Sequence, residues 1–177
     1  MPVTIGGSGT ITGLSATGIS AEPVFPGNIL QVVRTVLTSS GTFTTPTIPF
    51  DNTIPQNTEG VEVMTATITP SSASNSLLIF CDFGLVDAST AGNVITTALF
   101  QDSSANAIAV SATVTAFANY STKLSLNHTM LAGTTSATTF KVRIGVTGAT
   151  GAYNRRTDAN FYGGAAASTL TVMEVAG

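Results

Sequence analysis

Short segments that alternate apolar and polar residues recur along this chain, and no stretch carries a helical period. Successive side chains on a strand point to opposite faces, so this pattern specifies half-buried strands. In Val61-Glu-Val-Met-Thr-Ala-Thr-Ile-Thr69, Glu62, Met64, Ala66 and Ile68 share one face. In Thr138-Thr-Phe-Lys-Val-Arg-Ile-Gly-Val146, Phe140, Val142, Ile144 and Val146 point one way, and Lys141 and Arg143 the other. Further strands are expected over 28–38, 94–100, 108–117, 121–131 and 168–176, with a short edge piece at 42–45. Residues 76–86 are the most hydrophobic run and read as a strand buried on both faces. In 121–131, Leu124 and Leu126 alternate with Lys123, Ser125 and Asn127, and His128 is assigned to the polar face. The sum is eight or nine strands with turn residues between them. That is an all-β chain, an antiparallel β-sandwich of jelly-roll type.

The first 26 residues break the pattern. Ile5, Ile11, Leu14 and Ile19 stand singly among Gly, Ser and Thr. Such a segment cannot bury enough apolar surface to order itself alone. It reads as an extended attachment arm whose isolated aliphatic residues dock on a neighbour, by strand addition or in shallow pockets. Pro23 and Pro26-Gly27 mark the boundary, so residues 1–26 are the arm and 27–177 the sandwich domain. Residues 46–60 hold Pro46, Pro49 and Pro55 and read as an irregular loop.

Composition narrows the function. Only 8% of the 177 residues are charged, against about 25% in ordinary soluble domains. A surface rich in Thr, Ser and Ala with so little charge favours self-association. Six Lys and Arg against nine Asp and Glu argue against nucleic-acid binding through a basic patch. No apolar run is long enough for a membrane-inserted helix, and the first residues lack the features of a signal peptide. The Asn119-Tyr-Ser and Asn127-His-Thr sequons therefore carry no weight.

Catalytic and metal motifs are not found. His128 is the one histidine and Cys81 the one cysteine, so no His or Cys cluster can form within one chain. Cys81 reads as a buried core thiol. No nucleophile elbow, phosphate loop or calcium loop is present. The reading is a non-enzyme without a cofactor or metal. The one polar concentration is the loop at 147–167. There Tyr153, Asn154, Arg155, Arg156, Asp158, Phe161 and Tyr162 gather the residue types that dominate recognition surfaces. They are the candidate receptor or subunit-interface residues; aromatic faces with Asn, Asp and Arg also suit a sugar.

Several of these stretches carry a resemblance. Pro26-Gly-Asn-Ile-Leu-Gln-Val-Val, Ile68-Thr-Pro-Ser-Ser-Ala-Ser-Asn-Ser-Leu-Leu-Ile, Thr134-Thr-Ser-Ala-Thr-Thr-Phe-Lys-Val, Asn154-Arg155 and Ser168-Thr-Leu-Thr-Val-Met-Glu-Val-Ala resemble a tail-fibre-type module of tailed bacteriophages, common in marine and cyanobacterial phages. The resemblance covers residues 26–177. It implies a homotrimer of jelly-roll sandwiches, similar in outline to C1q-like heads, located on a virion. It implies a tail-fibre or receptor-binding role toward a host glycan or protein, with the arm contacting other virion proteins. A short arm without a shaft fits equally a capsid decoration protein whose arm staples capsomers. In the last strand, Leu170, Val172 and Glu174 share a face, and the other face is also partly apolar. That places the strand mid-sheet or beside a subunit contact. Buried Glu174 then needs a partner, for which Arg143, Arg155 and Arg156 are the candidates.

Overall fold

The computed structural model describes residues 25–156 and 159–177. The residues expected to form the arm, Ile5, Ile11, Leu14 and Ile19, lie outside that range, as does Asp158. The described chain is built from β1 (Ile29–Leu37), β2 (Gly41–Phe43), β3 (Val61–Ile68), β4 (Ser76–Ala88), β5 (Val94–Gln101), β6 (Ala109–Val114), β7 (Thr122–Leu131), β8 (Thr138–Val146), β9 (Gly151–Tyr153), β10 (Arg155–Arg156), β11 (Ala159–Asn160) and β12 (Ser168–Val175). A single 3-10 turn, Phe161–Gly164, lies between β11 and β12.

Two antiparallel sheets face each other. The larger runs β1-β12-β4, with β7 on the other side of β4 and with β9 and β2 continuing the sheet where β12 ends. The smaller runs β3-β8-β5-β6. From β3 to β5 and from β6 to β8 successive strands alternate between the two sheets, β5 and β6 form a hairpin within the smaller one, and early strands pair with late ones: β1 with β12, β3 with β8. That interleaving is the jelly roll. The long strands number eight, as the alternation implies; β2, β9, β10 and β11 are pieces of two or three residues.

The core forms between the inner faces. Leu77, Ile79, Cys81 and Phe83 of β4, Leu124 and Leu126 of β7, and Leu170 and Val172 of β12 meet Met64, Ala66 and Ile68 of β3 and Phe140, Val142 and Ile144 of β8. Both alternating segments quoted at the outset bury the expected face. One irregularity intervenes: a bulge between Glu62 and Met64 shifts the β3 register, so that Val61 and Val63 also pack against the core. His128 departs from expectation. It pairs across from Ile79 and follows Leu124 and Leu126 on the inner face, half-buried. Its even position sets that face, and its polarity does not override the period.

β4 also differs from a strand covered on both sides. Its inner face is closed, but Phe80 is 41% exposed on the outer one. β12 does lie mid-sheet, between β1 and β4. Glu174 is fully buried, and its partners are not arginines. Its carboxylate accepts from Asn75 Nδ2 at 2.6 Å, the Ser71 N–H at 2.7 Å, Ser71 Oγ at 2.8 Å and the amide of Gln31. Neutral donors from the β3–β4 turn and β1 therefore replace the expected ion pair. Burial raises the Glu174 pKa, but the donors of Asn75, Gln31 and Ser71 outweigh it and hold it at about 2.

The loop 46–60 lies on the outer face of the smaller sheet. Ile48 is fully buried against Ala98 and Phe100. This close approach requires Gly145 in β8: a Cβ there would sit 2.6 Å from the Ile48 backbone nitrogen. Arg143 ties the loop down by donating to the carbonyls of Glu59 and Gly60, each at 2.7 Å. Its contact with Glu62 is longer, 3.5 Å.

Candidate recognition surface

The structure divides the seven residues of the 147–167 region. Tyr153 faces inward. Its ring stacks on Phe43 at 6.4 Å and tilts against Phe83 at 6.5 Å. Asn154 is also buried, at 1% exposure, with a left-handed backbone (φ 54°). Its amide donates to the carbonyls of Leu37 at 2.8 Å and Ser39 at 3.2 Å, and its Oδ1 accepts from Ser168 Oγ at 2.8 Å. The Asn154 N–H donates to the Leu85 carbonyl at 2.9 Å. The side chain thus joins the end of β1 to the start of β12, and the backbone of the same residue ties both to the far part of β4, where the sheet passes from β12 to β9. Arg155 is half-buried and pairs with Asn160 in the β10–β11 ladder; the Arg156 backbone pairs with Ala159.

Phe161 and Tyr162 reach the surface. Their rings stack at 5.8 Å, and Tyr162 is 80% exposed. They are joined there by residues that the reading of the sequence passed over. The β6–β7 connection brings Phe117 and Tyr120, packed edge to face at 6.0 Å and both about two-thirds exposed. Asn119, Tyr120, Ser121, Phe161 and Tyr162 line one depression of about 250 Å³ above Leu85. A second depression, on the other side of Tyr162, is bordered by Asp82 and Lys123. These two form an ion pair at 3.3 Å, and Ser125 Oγ donates to Asp82 at 2.6 Å.

Two non-glycine residues at this end, Asn119 (φ 54°) and Tyr162 (φ 50°), hold left-handed backbones. For tyrosine that conformation is costly, by roughly 1 kcal/mol. It turns the Tyr162 ring outward instead of into the sandwich. The surface thus combines exposed aromatic faces with amide, hydroxyl and carboxylate groups, the kinds of group from which recognition sites are built. Among the described residues, no three His, Cys, Asp or Glu side chains gather where they could hold a metal ion. Cys81 lies in the core at 1% exposure, as its setting in a hydrophobic run implies.

The chain matches no protein-family model and no curated protein. Among solved structures, it is similar to a chain in the "Structure of infectious bursal disease virus Gx strain". The TM-score is 0.40 and the identity 13%, over 90% of this chain and 42% of that one. This chain therefore spans less than half the length of its structural neighbour, and a likeness of that size carries no argument about function.

Proposed function

We propose that this protein is a structural component of a bacteriophage virion, a trimeric tail-fibre or receptor-binding module with no catalytic role. The observation that carries the reading is the outer face of the β1-β12-β4-β7 sheet. Cross-strand register lines up Val32, Met173 and Leu78 in one row, and Arg34, Thr171 and Phe80 in the next. Val32, Val36, Phe80 and Leu131 are 52%, 48%, 41% and 63% exposed. The other sheet covers part of its outer face with the 46–60 loop, whereas here the 162–167 segment borders only the far end at Asp82 and Gly84 and leaves the rows of Val32 and Phe80 open. A sheet face with exposed Val32, Val36, Phe80 and Leu131 among mostly uncharged Thr and Asn residues, in a chain of such low charge, is suited to burial against other copies. The resemblance of the strands and turns to phage tail-fibre modules supplies the virion setting and the trimer. The aromatic end around Tyr120 and Tyr162 supplies the surface for a host glycan or protein.

Light scattering at micromolar concentration is expected to give three times the 17.9 kDa chain mass. Phe80→Asp places a charge at the centre of the face and is expected to weaken association at least tenfold, about 1.4 kcal/mol or more. A stable wild-type monomer would refute the trimer. On glycan arrays, Tyr162→Ala is expected to lose binding at least tenfold while thermal stability is unchanged. Equal glycan binding by wild type and variant would remove this surface from recognition.

The isolated aliphatic residues of 1–26 favour a second reading, a capsid decoration protein whose arm staples capsomers. Immunogold labelling of intact virions separates the two. Label on the shell would sink the tail-fibre reading, and label confined to the tail would sink the decoration reading.

A further inference from the structure

The cover over the smaller sheet is incomplete. Beyond Ile48, the 46–60 loop lifts away from β5 and β6 and leaves a cleft of about 350 Å³. Thr96 and Ala112 form its floor, and Val110, Phe50, Ile54 and Pro55 its walls. Phe50, Ile54 and Val110 are 68%, 55% and 47% exposed, so most of the rim is apolar as well. Asp51 and Thr53 also line the cleft, with the Asp51 carboxylate accepting from the Thr53 N–H and hydroxyl; beneath the floor the Thr96 hydroxyl is buried and has no hydrogen-bond partner. Thr96 itself is 4% exposed. A buried hydroxyl without a partner is unfavourable, and rotation of Thr96 about χ1 would let an entering backbone carbonyl accept from it.

We infer that this cleft is the seat of the N-terminal segment 1–24, which inserts one of its isolated aliphatic side chains there. Three observations support that occupant. First, the segment joins the sandwich at the correct end. Ile29 pairs with Val175, whose other neighbour is Ser76 at the start of β4. Asp102, in the turn that leads to the cleft wall at Ala107, is bonded to Thr139 at the start of β8. The turn joining β7 to β8 brings these two ends together. Second, the segment is long enough. Its 24 residues can span about 80 Å when extended, whereas crossing a sandwich of two four-stranded layers takes roughly 25–30 Å. Third, the chemistry matches. Single Ile and Leu residues flanked by Gly, Ser and Thr suit a small, mostly apolar cleft with Asp51 and Thr53 at its edge. This inference does not depend on where the protein is displayed.

Hydrogen exchange read by mass spectrometry on the full chain tests it, with a synthetic peptide of residues 1–24 as reference. Amides around one of Ile5, Ile11, Leu14 or Ile19 are expected to exchange at least tenfold more slowly in the protein than in the peptide. Ala112→Trp fills the cleft from an exposed position and is expected to abolish that protection. Phe50→Ser, which removes one wall, is expected to reduce it. Circular dichroism confirms that each variant is folded, and light scattering reports assembly separately. Exchange at the free-peptide rate in the wild-type protein would overturn the inference. So would protection that survives Ala112→Trp, since the segment would then lie on another surface, such as the open sheet face or a second copy.

Discussion

Replacing Glu174 by glutamine is expected to lower unfolding free energy by about 3 kcal/mol at neutral pH. The carboxylate accepts from Asn75, Gln31 and both the N–H and hydroxyl of Ser71 with no solvent to share them. Glutamine keeps the shape but turns one acceptor into a donor that faces other donors. Hydrogen bonds to a charged group contribute about 1.5–3 kcal/mol, and an unmet buried group costs a comparable amount. The pH dependence gives an independent check. A carboxylate held at about 2, against an ordinary 4.5, favours the folded state wherever the unfolded chain would already be ionised. Its contribution, of order 3 kcal/mol, is complete above pH 4.5 and fades as pH falls toward 2. Urea titrations of the wild type between pH 7 and pH 2.5 should show this loss, and the Glu174→Gln variant should lack that component. Parallel curves for the two proteins would mean that the donors do not hold the charge.

Asn154→Leu is expected to cost about 3 kcal/mol, which for a domain of this size lowers the melting temperature by roughly 10 °C. Leucine leaves the carbonyls of Leu37 and Ser39 without their donor and Ser168 without its acceptor, all at one junction. It also places a branched side chain at φ 54°, a conformation that asparagine tolerates better than other residues with a Cβ. Asn154→Gly separates the two causes. It accepts the backbone and loses only the side-chain bonds, so it should fall between wild type and leucine in calorimetry. A leucine variant as stable as the glycine one would show that the backbone conformation contributes nothing.

Legibility in the sequence follows how far a period runs. β3 and β8 are eight and nine residues of alternation whose buried faces are legible directly, whereas β12 is apolar on both faces and its sequence shows a mid-sheet strand without showing which face is inner. Two or three residues carry no period, so β9, β10 and β11 are set by their neighbours in the sheet instead. The exposure of Phe80 is not legible in the sequence, because hydrophobicity alone does not distinguish a face covered by a second layer of protein from an open one. A buried carboxylate suggests a charged partner, yet Glu174 is met by neutral donors of the Ser71–Asn75 turn and Gln31, which converge only in three dimensions. The aromatic surface was half legible. Phe161 and Tyr162 stood out in their loop. Tyr120 and Asn119 lie far away in sequence, and the fold alone brings them to the same depression.

The position of Cys81 has a practical use. Its thiol lies in the core, and burial, with a smaller contribution from the Asp82 charge, pushes its pKa up to about 12. A thiol-reactive dye at neutral pH therefore meets a nucleophile only in molecules whose sandwich has opened. The wild-type protein carries its own clock for opening, with no engineered probe. The labelling rate of Cys81, compared with that of the denatured chain, measures how often the two sheets part. In an assembled particle, the same rate would show how much the neighbouring copies slow that event.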